Sequence, residues 1–184
     1  MPTAPPAHPT VPPALHWQWS RLPGLAPVDL YAALAARQAV FAVEQHCAFQ
    51  DADGLDLHAW HLLGWTHADA AAGGDRMLVC YLRLIDPGRK FAEPSIGRVL
   101  TTPAWRGTGQ GRAVMIEGLA RAALAHPGRA IRIAAQQRLE AFYASLGFRT
   151  VSAPFEEDGI AHVEMLWPGS PVRYHECPEP AGGP

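Results

Sequence analysis

Cysteine is scarce in this chain of 184 residues, occurring only as Cys47, Cys80 and Cys177. Their number is odd, they stand far apart and no two form a CxxC pair. A disulfide framework is therefore excluded, and they read as reduced thiols of a cytoplasmic protein. No apolar run approaches the roughly 20 residues that span a bilayer. The N-terminus, MPTAPPAHPTVPPALHW, lacks a basic region followed by an apolar one and so reads as no secretory leader. Charge of one sign is also missing. The formal net charge is -2, which removes the electrostatic case for a nucleic-acid or anionic membrane partner. No internal repeat is visible. What remains is 48% hydrophobic and 17% charged, the make-up of a soluble globular protein long enough for one domain with its own core.

Three segments divide that length. Residues 1–13 are rich in proline and alanine and are expected to form a flexible tail, residues 14–168 a single domain, and residues 169–184 a second loose tail. Within the domain, Leu15, Trp17 and Trp19 alternate with His16, Gln18 and Ser20, the pattern of a half-buried strand. Pro27 suits the first turn of a helix, and Leu30, Leu34, Val40, Phe41 and Val43 continue at helical spacing. HCAFQDADGLDLH is a loop, AWHLLGWT a strand, and Gly73–Asp75 a turn. RMLVCYLRLI is apolar on both faces and is predicted to lie centrally in a sheet. A short strand around IGRVLTT leads into a glycine-rich turn and a helix whose inner stripe is Met115, Leu119 and Ala122, with Ile116, Ala120 and Ala123 beside it. AIRIAA is a strand, QQRLEAFYASLGF a helix stopped by Gly147, and FRTVSAPF and HVEMLWP two closing strands. The order predicts a mixed α/β fold around one sheet.

The glycine-rich turn carries the most chemistry. Arg106-x-x-Gly109-x-Gly111, with Gly107 inside it, precedes a helix. The first turn of a helix has N–H groups without intrahelical acceptors, and its dipole favours negative charge. Small residues let an anion approach those donors, so the turn fits a phosphate or pyrophosphate. A P-loop requires Lys-Ser/Thr after its last glycine, whereas Arg112 and Ala113 follow Gly111. A dinucleotide fingerprint requires GxGxxG and an acidic residue ending the next strand, whereas that strand ends in Ala134, Ala135 and Gln136. The third candidate is the R-x-x-G-x-G turn that holds the pyrophosphate of acetyl-coenzyme A.

That turn, RGTGQGRAVM, together with AFYASLGF further on, resembles the GNAT superfamily of N-acyltransferases. VFAVEQHCAFQDADGLD, IGRV, the Ala-Gln pair before RLEAFY, and EDGIAHVEM are similar to its ElaA-like branch. The resemblance spans Leu15 to Trp167. It implies the GNAT fold, one central mixed sheet of about six to seven strands flanked by helices, and transfer of an acetyl group from acetyl-CoA to an amine without a resident metal. It further implies that Val99 and Leu100 pair with the pantetheine arm through their backbone. Arg106, Gly107, Thr108, Gly109, Gln110, Gly111, Arg112 and Ala113 would cradle the pyrophosphate. Gln136 stands where relatives place a pantetheine-contacting Asn. Tyr143 occupies the family's tyrosine position, beside the sulfur, as both cofactor contact and proton donor to the departing thiolate.

The general base stays open. Some relatives carry Glu on the strand before the glycine turn, where this chain has Arg98; Glu44, His162 and Glu164 are the remaining candidates. Asp51, Asp53 and Asp56 form an acidic loop that would attract a protonated amine, unless it serves only as turn chemistry. His58 and His61 are three apart and should face opposite sides of a strand, which argues against a metal. Trp17, Trp19, Trp60 and Trp65 suit packing better than base stacking. The expected partner is a small-molecule or peptide amine, with the protein a monomer or homodimer. The competing functional readings are a non-catalytic acyl-CoA-binding module and a nucleotide-binding domain.

Overall fold

The structure, a computed structural model, describes residues 14–46, 49–67 and 76–169. The expected tails (residues 1–13 and all but the first residue of 169–184), the turn at Gly73–Asp75, Cys47 and Cys177 lie outside the described residues. Among the described residues no helix is long and apolar enough to cross a membrane.

The alternating tryptophan segment forms β1 (His16–Arg21), and Pro27 opens α1 (Pro27–Arg37). The helical periodicity continues past α1, but Gln38–Glu44 winds as a π-helix. Such a turn adds a residue to the helical repeat and shifts which side chains face inward. Val40 stays buried while Val43 turns out to solvent, so the apolar stripe expected through Val43 stops short. β2 (Ala59–Trp65) and β3 (Leu78–Ile85) follow, then β4 (Ser95–Thr101), α2 (Gln110–Ala125) and β5 (Ile131–Gln136). α3 is short (Glu140–Ala144), and the chain closes with β6 (Arg149–Thr150), β7 (Phe155–Glu157) and β8 (Ile160–Trp167).

These strands make one mixed sheet of eight, ordered β1-β2-β3-β4-β5-β8-β6, with β7 also on β8. The expected count was six to seven because FRTVSAPF looks like one strand. It breaks in the middle: the Val151 N–H still donates to the Glu164 carbonyl, but the Glu164 N–H donates to Ser152 Oγ, a side chain standing in for a ladder carbonyl. Pro154 cannot donate at all. β6 and β7 are the two stubs on either side of that break.

β3 is central, as its composition predicts, and is buried from Val79 to Ile85. Alternation sends Leu62, Leu82 and Leu84 toward α2 and α3, where they pack with Met115, Leu119 and Phe148. Leu63, Tyr81 and Leu100 face α1 with Ala33 and Val40. The inner face of α2 holds Met115, Leu119 and Ala122 as expected, with Val114 and Gly118, whereas Ile116 is exposed. A Cβ on Gly118 would stand 2.4 Å from Leu82 Cδ2, so glycine sets how closely α2 lies on the sheet. The tryptophans pack on the sheet: Trp19 and Trp60 stack at 5.1 Å, and the Arg21 guanidinium lies 4.4 Å above the Trp60 ring.

The sheet is antiparallel except at β4 and β5, which run parallel and share one register pair, Ser95 with Arg132. Beyond that pair they diverge. A bulge accompanies the divergence: Tyr81 of β3 opposes Leu100 and Arg83 opposes Gly97, so Arg98 and Val99 together face Leu82. Arg98 takes φ 52°, left-handed backbone that a side chain other than glycine rarely adopts. A bulge of this kind bends the strand that carries it.

Candidate active site

A cleft of about 770 Å³ fills the space between β4 and β5. Val99, Leu100 and Thr101 form one wall; Ile133 to Gln136 and Tyr143 form the other. Val40, Phe41, Glu44 and Gln45 of the π-helical segment cover the top, and His162 enters from β8, where it lies opposite Gln136.

Tyr143 is buried in a cage of aromatic rings, edge-on to Phe142 at 5.0 Å and to Phe148 at 5.8 Å. Burial pushes its phenol up to about 12, so the hydroxyl stays protonated at neutral pH and is able to donate. His162 Nδ1 lies 2.8 Å from the Ile160 carbonyl. A carbonyl only accepts, so in the neutral ring Nδ1 carries the hydrogen and Nε2 carries the lone pair. Gln136 donates through Nε2 to Gln45 Oε1 at 3.1 Å and accepts from Arg138 Nε at 2.9 Å, tying the end of β5 to the π-helical segment.

The glycine turn stands at the far end of β4. Gly107 and Gly109 have φ of 76° and 85°, and a Cβ on either would meet nothing within 4 Å. α2 begins its own hydrogen bonding at Arg112 and Ala113, both of which donate to the Gly109 carbonyl. The amides before them lie where a helix N-terminus offers its donors. Thr108 Oγ donates to the Trp105 carbonyl and shapes the turn. Of the two flanking arginines, only Arg106 reaches the cleft: its Nε donates to the Thr101 carbonyl, and its two terminal nitrogens grip Glu44 at 2.7 and 2.8 Å. Arg112 instead donates to the Oγ and carbonyl of Ser145 at the end of α3.

This geometry has known counterparts. Residues 70–168 match the family model described as the acetyltransferase (GNAT) domain. The chain is 40% identical over 153 residues to the UPF0039 protein sll0451 of Synechocystis, covering 83% of this chain and 95% of that protein. It is 37% identical over 153 residues to protein ElaA of Escherichia coli, covering 82% and 95%. A crystal structure of an acyl-CoA N-acyltransferase from Pseudomonas aeruginosa superposes with a TM-score of 0.75 at 37% identity, covering 83% of this chain and 99% of that one. The chain belongs to the GNAT acetyltransferase family.

GNAT proteins transfer acyl groups from acyl-CoA, and the turn passes the test of fit for that molecule. The space above Gly107 and Gly109 is what side chains would otherwise fill, at a helix N-terminus suited to a pyrophosphate. Arg106 and the turn from Gly107 to Gly111 would hold the phosphates, and the β4 edge at Val99 and Leu100 the pantetheine arm. The expected share of Arg112 and Ala113 falls away, because their amides donate to Gly109 and the Arg112 side chain to Ser145. Glu44, one of the candidate bases, is occupied by Arg106, whose hydrogen bonds hold its carboxyl below the ordinary carboxylate range. A carboxylate so paired is a weak base. Glu164 is likewise engaged, accepting from Arg132 at 2.7 Å. His162 is the candidate that combines a place in the cleft with an available lone pair.

The acidic loop does something its sequence did not reveal. Arg37, on the inner face of α1, is 1% exposed and binds Asp51 and Asp56 at 2.8 and 2.7 Å. Arg83, in the centre of β3, is 2% exposed and binds Asp53 and Asp56 at 2.7 and 2.9 Å. Arg98, turned by the bulge, binds Asp51 at 2.6 Å. Burial alone would raise these carboxyls, but the bonds and charge of Arg83 hold Asp53 at about 2, and those of Arg37 and Arg83 hold Asp56 below its ordinary value. Three aspartates thus neutralise three arginines, which corrects the expectation of an acidic rim for a cationic amine. His61 belongs to the same network. Its Nε2 lies 3.2 Å from the Asp56 carbonyl and its Nδ1 2.7 Å from the Tyr81 hydroxyl, so it donates through the first and accepts through the second. The sequence signal for this network is an arginine inside an otherwise apolar helix face and another inside an apolar strand.

Proposed function

We propose that this GNAT protein moves an acetyl group from acetyl-CoA to the nitrogen of an amine by direct attack in the cleft between β4 and β5. Acetyl-CoA supplies the acyl group as a thioester whose sulfur is the leaving group. His162 Nε2 takes the proton that the amine loses on attack, directly or through one water. Tyr143 Oη, which burial keeps protonated, donates a hydrogen bond to the departing sulfur and stabilises the negative charge that develops there. Among the described residues the β4 edge beyond Ser95 has no strand partner on its β5 side, and it offers backbone N–H groups to the oxyanion.

The observation that carries this reading is the convergence of Tyr143 and His162 on one cleft whose opposite end is bounded by Arg106 of the glycine turn. Among the described residues the cysteine is Cys80, a buried thiol that burial pushes up to about 12 and that does not line the cleft, which favours direct transfer over a Cys80 acyl-enzyme. The same reading assigns a cytoplasmic protein, a monomer or homodimer, acting on a small-molecule or peptide amine.

The test is coenzyme A release across a library of amines, with Arg106→Ala as the cofactor-site control. Amine-dependent release that falls in Arg106→Ala through a higher KM for acetyl-CoA is the expected result. A non-catalytic acyl-CoA binder would bind acetyl-CoA and release nothing with any amine. Release undiminished in Arg106→Ala would remove the turn from the reaction.

A further inference from the structure

The end of the cleft remote from the glycine turn is built for an anion. Six arginine and lysine side chains line the cleft; Arg83, Arg98 and Arg106 are paired with aspartates and Glu44, which leaves Arg89, Lys90 and Arg138 to set against Glu157 and Asp158. Arg106 belongs to the glycine turn. Arg89 and Lys90 lie in the hairpin before β4, so the whole strand separates them from that turn, about 20 Å at 3.3 Å per residue. They are too distant to serve the same anion. Lys90 makes a long ion pair with Glu157 at 3.7 Å and lies 5.5 Å from the centroid of the Phe91 ring. Arg89 makes no ion pair among the described residues and is exposed at the mouth.

Deeper in, Arg83 lines the cleft at 2% exposure, and its terminal nitrogens are taken by Asp53 and Asp56. Its Nε–H is fully enclosed and has no acceptor among the described residues. A buried donor left unpaired is costly, and such a group calls for a ligand or water. Directly across from Arg83 on β4 stands Gly97. Cross-strand partners lie on the same face with Cβ positions about 5 Å apart, and a Cβ on Gly97 would meet nothing within 4 Å. The missing side chain leaves a notch on the face where Arg83 stands, and a ligand there reaches the enclosed Nε–H only after the groups covering it shift. Phe41, Phe49 and Leu55 line the same cleft and give an apolar body a place to lie.

We infer that the acceptor is an amine that also carries a carboxylate, an amino acid or short peptide with an apolar side chain, whose carboxylate is held by Arg89 and the Arg83–Gly97 notch. This rests on the N-acetyltransferase reading above and names its substrate class. It also reverses the cationic acceptor that the aspartate loop predicts, because those aspartates are neutralised.

Matched acceptors test it: phenylalanine against phenylalaninamide, phenethylamine and the aminophosphonate analogue, read by coenzyme A release. Phenylalanine is expected to exceed the amide and the amine in kcat/KM by about tenfold or more, the scale of a charge-assisted hydrogen bond. Arg89→Ala should erase that preference. Gly97→Val adds a side chain into open space and should fold normally, keep its KM for acetyl-CoA and lose amino-acid turnover. In the free protein, calorimetry should show N-acetylphenylalanine binding about tenfold or more tighter than N-acetylphenethylamine. Amines used as well as amino acids, a preference that survives Arg89→Ala, or a better phosphonate would each overturn the carboxylate assignment while leaving acyl transfer in place. No release with any acceptor, and no preference in calorimetry, would overturn both.

Discussion

Asp56→Ala removes the carboxylate that joins the two most deeply buried arginines. Asp56 Oδ1 accepts from Arg37 at 2.7 Å and from Arg83 at 2.9 Å, and the two guanidinium side chains are 1% and 2% exposed. Each keeps one other carboxylate, Asp51 for Arg37 and Asp53 for Arg83. The variant therefore strips half the compensation from two buried charges without isolating either. Breaking a buried pair costs about 3–5 kcal/mol, and the surviving partners place this case near 3 kcal/mol. For a chain of this size that is a fall in Tm of roughly 6–12 °C. Urea denaturation followed by circular dichroism reads it directly. The comparison is Glu117→Ala, which breaks an exposed i,i+4 pair with Arg121 and should cost about 0.5 kcal/mol or less. Asp56→Asn keeps an oxygen for both arginines and should fall between the two. If Asp56→Ala cost no more than Glu117→Ala, the network would not be the support of the α1 face, and the argument that the aspartates are committed there would fail.

Three further outcomes follow from the same geometry. Asp53 is held at about 2 and Asp56 is also depressed, so their contribution to stability is complete above about 4 and should be lost as pH falls from there toward 2, visible as a steep drop in urea midpoint over that interval. Glu44→Gln frees Arg106 from its carboxylate grip and should tighten acetyl-CoA binding by about twofold to fivefold, the worth of an exposed ion pair, with kcat nearly unchanged; a hundredfold loss of kcat would restore Glu44 as the base. His162→Gln should lower kcat by about 10² to 10⁴ with the KM for acetyl-CoA unchanged, and a normal kcat would remove His162 from proton transfer.

How much of this could be read from residues alone differs by element. β3 was legible because a long apolar run between turn signals has few alternatives, and the glycine turn because positive φ and an open helix N-terminus leave a mark in composition. The Tyr143 position was legible from the resemblance, but its aromatic cage depends on Phe148, beyond the turn at Gly147. The π-helical shift at Gln38–Glu44 was not legible, since Val43 fits helical spacing as well as Val40 does. The bulge at Arg98 was hidden too. A charged residue in a strand looks like a solvent-facing one, and only cross-strand register reveals that it turns toward Asp51. The aspartate loop misled for a related reason. A sequence shows the charges of a loop but not the arginines, 14 to 47 positions distant, that neutralise them.

The most direct test of acetyl transfer in this cleft is a stoichiometric one. Incubation with acetyl-CoA labelled in its acetyl group and an accepted amine should yield N-acetylated amine and free coenzyme A in equal amounts. Tyr143→Phe should slow both by about a hundredfold or more, with acetyl-CoA affinity and Tm preserved because the ring and its packing remain. Wild-type release of coenzyme A without labelled amine, or Tyr143→Phe turning over at the wild-type rate, would contradict the account.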